Sequence, residues 1–278
     1  MEVMIQKAAL SYRIARIMFI MFTCSISGYT VTTLFGPVDD VQVSNPTEKK
    51  FLLRMEFPFE ATVSPLYEII VTIQIIGQSI FSLMAGMSMA LIATFVLHIA
   101  SQIDMVCERL RDIFNHNNEL QLRVRIIKNI IAKHQRIINL SANVETVFTI
   151  ISLLQFFFNI LVLCFVSFIL VTSINNGQAT AAIAKCFPYY IVVNLEALIL
   201  CYTGEYLSTK SENIGCIAYN SDWYELTIYE IRAIFLLILR SQKPLTLTIG
   251  KFMNLSLETF ADMLKASASY VSVLYAMD

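Results

Sequence analysis

The side chains that could do chemistry in this chain are few. Three histidines, His98, His116 and His134, stand far apart and lack the His-Glu-x-x-His context of a zinc hydrolase. There is no Gly-x-Ser-x-Gly elbow, and the 8 glycines form no phosphate-cradling loop. The six cysteines, Cys24, Cys107, Cys164, Cys186, Cys201 and Cys216, show neither Cys-x-x-Cys nor another metal-ligand spacing, and read as small packing residues. These residues point to no enzyme, no metal and no organic cofactor. Two features remain. Glu196 is an acid in the middle of a strongly apolar run, where an ionisable group either serves function or is paired with a polar neighbour. Near the C-terminus Glu258, Asp262, Lys265, Ser269, Ser272 and Ala276 recur every three or four residues, which puts them on one helical face.

A half-polar helix of that kind can line a water-filled pore or pack inside a bundle, and the residues leave both open. Tyr270, Val273 and Met277 form the neighbouring strip, apolar enough to constrict such a pore.

The elements that must hold these groups are set by long charge-free stretches. Thr146–Ala184 runs 39 residues without Asp, Glu, Lys or Arg, Ile69–Ile103 runs 35, and Ile17–Val38 runs 22. About 20 apolar helical residues cross a bilayer, and a charge at its centre costs roughly 2.5–3.5 kcal/mol. Hydrophobic residues make up 56% of the chain and charged ones 15%, well below the roughly one quarter of soluble domains. The expected fold is all-α: a polytopic membrane bundle with about five transmembrane helices and a cytoplasmic helical anchor. The net charge of -1 offers nothing to a nucleic acid.

The expected organisation follows the charges. Residues 1–99 hold two spans, about Ile17–Phe35 and Tyr67–His98, joined by an extracellular loop whose Pro46, Pro58 and Pro65 favour an extended lid. Residues 100–145 read as cytoplasmic amphipathic helices broken at Asn115-His116-Asn117-Asn118. Two further spans, about Val147–Val171 and Ala179–Thr203, occupy 146–205. A cytoplasmic anchor helix lies within 206–243, and the terminal helix within 244–278. Lys and Arg number 15 on the face holding the N-terminus and 4 on the other, so the N-terminus is expected in the cytoplasm and Asp278 outside.

Several stretches resemble one family, the insect odorant receptors. They are Met55-Glu-Phe-Pro-Phe-Glu60 with Ser64-Pro-Leu-Tyr-Glu-Ile69, the region from His134 to Glu145, and the last seventy residues. In the last, the order Arg240-Ser-Gln-Lys-Pro244, Gly250-Lys-Phe252, Leu255-Ser-Leu-Glu-Thr-Phe260 is highly specific. The Ser-Gln-Lys-Pro segment argues against a gustatory receptor of the same superfamily. A transporter or a G-protein-coupled receptor is the rival from another class.

The resemblance implies a seven-helix, ligand-gated cation channel subunit in the plasma membrane. It would assemble with a shared coreceptor in a hetero-tetramer, bind small volatile odorants, and contact membrane lipid. It implies that the terminal helix lines the pore, with Tyr270, Val273 and Met277 near the gate, and that the cytoplasmic helices meet between subunits. The family has two more helices before the first span found here, so five of seven are expected, as in a partial gene model or a truncated isoform. Within the walls present, Gly28, Tyr29, Gln74, Gln78, Tyr189 and Tyr190 are the candidate ligand contacts, because they are the small, polar or aromatic groups on otherwise apolar helices.

Overall fold

The computed structural model describes residues 2–35, 51–52, 63–115, 120–175 and 179–277. The architecture is all-α. Six α-helices follow in order: α1 (Glu2–Phe35), α2 (Leu66–Asn115), α3 (Leu120–Asn175), α4 (Ala179–Tyr219), α5 (Ile228–Ser241) and α6 (Leu257–Met277). A short 3-10 turn at Trp223–Glu225 and a hairpin of β1 (Thr248–Ile249) and β2 (Met253–Asn254) complete the described elements. The bulk of the first loop, with its expected lid, lies outside the described residues.

Among the described residues four helices are long and apolar enough to cross a membrane, over Ala9–Leu34, Leu66–Ile113, Leu120–Ile169 and Phe187–Tyr219. A helix satisfies every backbone group within the segment, which is what hydrocarbon demands. The α6 helix is not among the four, and its first half carries Glu258, Asp262 and Lys265. The expected break is present, since α2 ends at Asn115 and α3 begins at Leu120. The α2 helix runs unbroken from its lipid-type half into its amphipathic half, and α3 does so in reverse. Neither contains a proline, and the two glycines of α2, Gly77 and Gly86, lie within its apolar half, so nothing stops the helix where its pattern changes.

The chain divides into two compact units. The first comprises Met1–Tyr12, Leu91–Phe157 and Leu198–Ala261. Its core is closely packed: Ile99, Ile103 and Leu110 of α2, Ile130 of α3, Leu207 and Ile214 of α4, and Ile234 of α5 are almost wholly buried. The α5 helix is amphipathic and buries Glu230, Ile234, Leu237 and Ser241, one stripe at helical spacing. Two glycines of α4 permit close approach. A Cβ at Gly204 would strike the Leu255 carbonyl, and one at Gly215 would strike the Ser241 hydroxyl. Ser211 accepts the Leu245 N–H at 2.8 Å, tying the chain beyond α5 back to α4.

The hairpin belongs to the same unit. Thr248 pairs with Asn254 and Ile249 with Met253. Its turn places Gly250 at φ 58° and Lys251 at φ 65°, and the Phe252 N–H closes on the Ile249 carbonyl at 3.1 Å. Positive φ at both central residues matches strand twist, and glycine adopts it without penalty. At two residues per strand the hairpin leaves no alternation that the sequence could show.

The second unit comprises Arg13–Ala90, Phe158–Ala197 and Asp262–Asp278. Met18, Leu52, Val71, Met89 and Leu163 are buried there. Many of its large apolar side chains are outward: Phe81 is 78% exposed, Met84 64% and Phe165 62%. Apolar surface on that scale is matched to lipid or to a protein partner, not to water.

Candidate functional site

All the sequence-nominated site residues fall in the second unit. Its α1 and α2 helices border an open cavity of about 440 Å³. Phe19, Ile26 and Val31 of α1 and Ile75 and Leu83 of α2 form its apolar lining. Five hydroxyls also face it, from Thr23, Ser27, Thr30, Ser79 and Ser82. Four of them already donate to their own helix: Thr23 to the Phe19 carbonyl at 2.8 Å, Ser27 to Thr23 at 2.9 Å, Thr30 to Ile26 at 2.8 Å and Ser79 to Ile75 at 2.7 Å. A hydroxyl that back-bonds to its helix keeps its oxygen lone pairs. The cavity therefore suits an apolar molecule that brings its own hydrogen-bond donor.

None of the nominated residues lines this cavity. Tyr29 and Gln74 come together elsewhere, on the backbone of Leu52. The Tyr29 hydroxyl donates to the Leu52 carbonyl at 3.3 Å, and the Leu52 N–H donates to Gln74 Oε1 at 3.1 Å. Leu52 is 3% exposed, and the preceding Phe51 ring packs on Tyr67 with centroids 5.3 Å apart. These two residues strap a loop segment onto α1 and α2. Gln78, one turn beyond Gln74, is half-buried, and its Oε1 has no hydrogen-bond partner among the described residues. Gly28 is exposed, with open space where a Cβ would stand. Tyr189 is exposed, and the Tyr190 carbonyl accepts from Asn194 Nδ2 at 2.8 Å. Glu196 is 7% exposed and engaged with its surroundings.

On α6 the polar strip read from the sequence faces outward. Glu258, Asp262, Lys265, Ser269, Ser272 and Ala276 are all exposed, and Lys265 pairs with Asp262 at 3.0 Å. The buried face is a different stripe: Thr259, Met263 and Ser267, the last within 3.9 Å of the Cys164 thiol of α3. Packing within the chain therefore does not account for the polar strip. Tyr270 and Val273 are 59% and 55% exposed beside it. The Met277 side chain lies outside the described residues.

The charges of the first unit are joined between helices. Lys210 of α4 donates to Asp104 of α2 at 2.7 Å, and that hydrogen bond holds the ammonium above its ordinary pKa. Arg123 of α3 meets the buried Glu230 of α5 at 3.4 Å. The other Glu230 oxygen takes the Thr227 N–H at 2.9 Å and the Thr227 hydroxyl at 2.7 Å, tying down the start of α5. His134 is buried, and burial, then the Arg240 charge, hold it below its ordinary value. Among the described residues no three His, Cys, Asp or Glu side chains converge as a metal site.

Comparison with known proteins gives one answer. The family model described as 7tm Odorant receptor matches residues 2–268. Odorant receptor 13a of Drosophila melanogaster is 27% identical, over 93% of this chain and 65% of its own length. Odorant receptor 67c of the same species is 24% identical, over 91% and 63%. The chain thus spans under two thirds of the length of these relatives. The solved structure of the insect olfactory receptor OR5 from Machilis hrabei in complex with eugenol shares the fold, with a TM-score of 0.82 at 18% identity. That match covers 100% of this chain and 69% of the other.

Proposed function

The chain belongs to the 7tm odorant receptor family, and from that premise we propose that it is a subunit of a ligand-gated cation channel that detects small volatile molecules. The family match over residues 2–268 carries this reading. The cavity between α1 and α2 supports it, being apolar, of a size for a small molecule, and edged with acceptor oxygens. A volatile alcohol or phenol fits that chemistry, and eugenol, the ligand of the Machilis receptor, is a phenol. The ligand fits the open state better and so shifts the gating equilibrium.

The outward polar strip of α6 supports a pore lined by that helix, with Tyr270, Val273 and Met277 at an apolar constriction. The outer face of α5 supports assembly with other subunits. Ile228, Tyr229, Phe235, Leu236 and Leu239 are all more than half exposed there. An apolar strip of that kind on a charged, closely packed unit is a docking face. The proposed assembly is a hetero-tetramer with a coreceptor, the N-terminus cytoplasmic and Asp278 outside.

The test is whole-cell current from cells expressing the chain with an insect coreceptor. The stimuli are pairs of volatiles matched in shape, one with a hydroxyl and one without. The expected result is a cation current absent from coreceptor alone and larger for the hydroxylated member. A surface-labelled chain that adds no current would overturn the channel reading. A C-terminal tag reached by antibody only after permeabilisation would overturn the orientation.

A further inference from the structure

The hairpin between α5 and α6 carries an unused pair of side chains at a telling depth. Phe252, in its turn, is 85% exposed, and Lys251 and Met253 beside it are exposed as well. Among the described residues Lys251 has no carboxylate partner. The hairpin is registered on α3 at three points. Thr248 donates to Glu145 Oε1 at 2.9 Å, the Gly250 N–H donates to the Thr149 carbonyl at 3.2 Å, and Gly250 lies against Leu153 so closely that a Cβ would come within 2.9 Å of its methyl.

Those three α3 residues mark a boundary. Glu145 is the last charge before the 39-residue charge-free run, while Thr149 and Leu153 are inside it. At 1.5 Å per residue they stand roughly 6 and 12 Å beyond Glu145. Around that level Val147, Ile150 and Leu154 of α3 are all more than half exposed, as lipid-facing residues would be. A cation on a flexible stem and an aromatic ring at the edge of an apolar span are the pair that anchors to a membrane interface.

We propose that the Gly250–Met253 turn docks on the phospholipid bilayer, with Phe252 entering the headgroup–acyl boundary and Lys251 binding the phosphate of an anionic lipid. This rests on the membrane reading of the apolar runs. The positive φ at Gly250 and Lys251 turns the chain sharply enough to present both side chains at one tip.

Trp223 is the only tryptophan, so a Trp223→Phe background is dark. In it, Phe252→Trp and, separately, Ile150→Trp are placed in the 278-residue chain reconstituted in vesicles of phosphatidylcholine and phosphatidylserine. Both probes are expected to emit at short wavelength and to lose most of their emission when the lipid is brominated. If Ile150→Trp is quenched by brominated lipid but Phe252→Trp is quenched by aqueous iodide, the docking is overturned and the membrane reading stands. A Phe252→Trp probe shielded from both quenchers is covered by protein, such as a second subunit, and also overturns it. If Ile150→Trp escapes brominated lipid, the membrane placement itself falls. Adding Lys251→Glu to Phe252→Trp is expected to weaken lipid quenching in phosphatidylserine vesicles and not in neutral ones. Equal quenching in both would overturn the role of Lys251.

Discussion

Two isoleucines set the two units of this chain against each other. Ile103, in the first unit, is fully buried, whereas Ile17, in the second, is 56% exposed. Both are apolar positions in long helices, and composition does not tell them apart. In the first unit apolar residues fill a core that excludes any solvent. In the second, most of them are the outer surface, and the environment that stabilises them lies outside the chain. The polar groups differ in the same way. The first unit joins its charges between helices, as Asp104 with Lys210 and Arg123 with Glu230. Hydroxyls turn back onto their own helices in both units, as Thr203 and Ser211 do in the first and Thr23, Ser27 and Thr30 in the second, where few charges stand beside them.

Truncation should sharpen this contrast most. Ile103→Ala is expected to cost about 2–5 kcal/mol, the range for emptying a packed site. Ile17→Ala should stay within about 0.5 kcal/mol, as for a surface change. Thermal midpoints of detergent-solubilised protein by size-exclusion chromatography would compare them, and equal losses would break the distinction.

Next comes Glu230. Glu230→Ala removes the acceptor of the Thr227 groups and leaves Arg123 unmatched. A loss of about 1–3 kcal/mol is expected. Amide exchange at the start of α5 should accelerate, while the neighbouring Glu225→Ala leaves it unchanged.

The glycines probe the same contrast through the backbone. Gly204→Ala must displace the Leu255 backbone, and about 1–3 kcal/mol of overpacking is expected. Gly28→Ala meets open space within a helix and should instead gain up to about 1 kcal/mol from helix propensity. A loss at Gly28 would mean that its face is covered in the assembled protein.

The smallest effect belongs to His134. Its folded-state pKa is depressed below 6.5, so its contribution is complete above that value. As pH falls from 6.5 towards the depressed value, the unfolded chain takes up a proton that the folded one refuses, and stability declines. His134→Gln should flatten that part of the stability–pH curve. An unchanged curve would show that His134 is not buried neutral.

Several of these elements are legible in the sequence because their signals are local. Charge-free length marks the spans, the Asn-His-Asn-Asn run marks the end of α2, and three-to-four spacing separates the two faces of α6. Other features are not local. The strap at Leu52 uses main-chain atoms, and a main chain looks the same at every position in a sequence. The hairpin is two residues per strand, too short for alternation to show, and its register comes from Glu145 and Thr149, about a hundred residues away. Tyr29 and Gln74 stand out in the sequence as polar groups on apolar helices. Which partner each would meet was decided by the fold.

By itself, the sequence determined that this chain is helical, that its helices are long, and that much of its surface needs something other than water. Those properties follow from which residues stand three or four apart and from where charges are missing. Only the tertiary structure decided which polar groups remain available. It turned the polar strip of α6 outward, bound Tyr29 and Gln74 to Leu52, and left the acceptor oxygens of Thr23, Ser27, Thr30 and Ser79 around a cavity. The reason is physical. A helix face is fixed by its own residues, but a hydrogen bond or a void is a relation between segments that meet only when the chain folds.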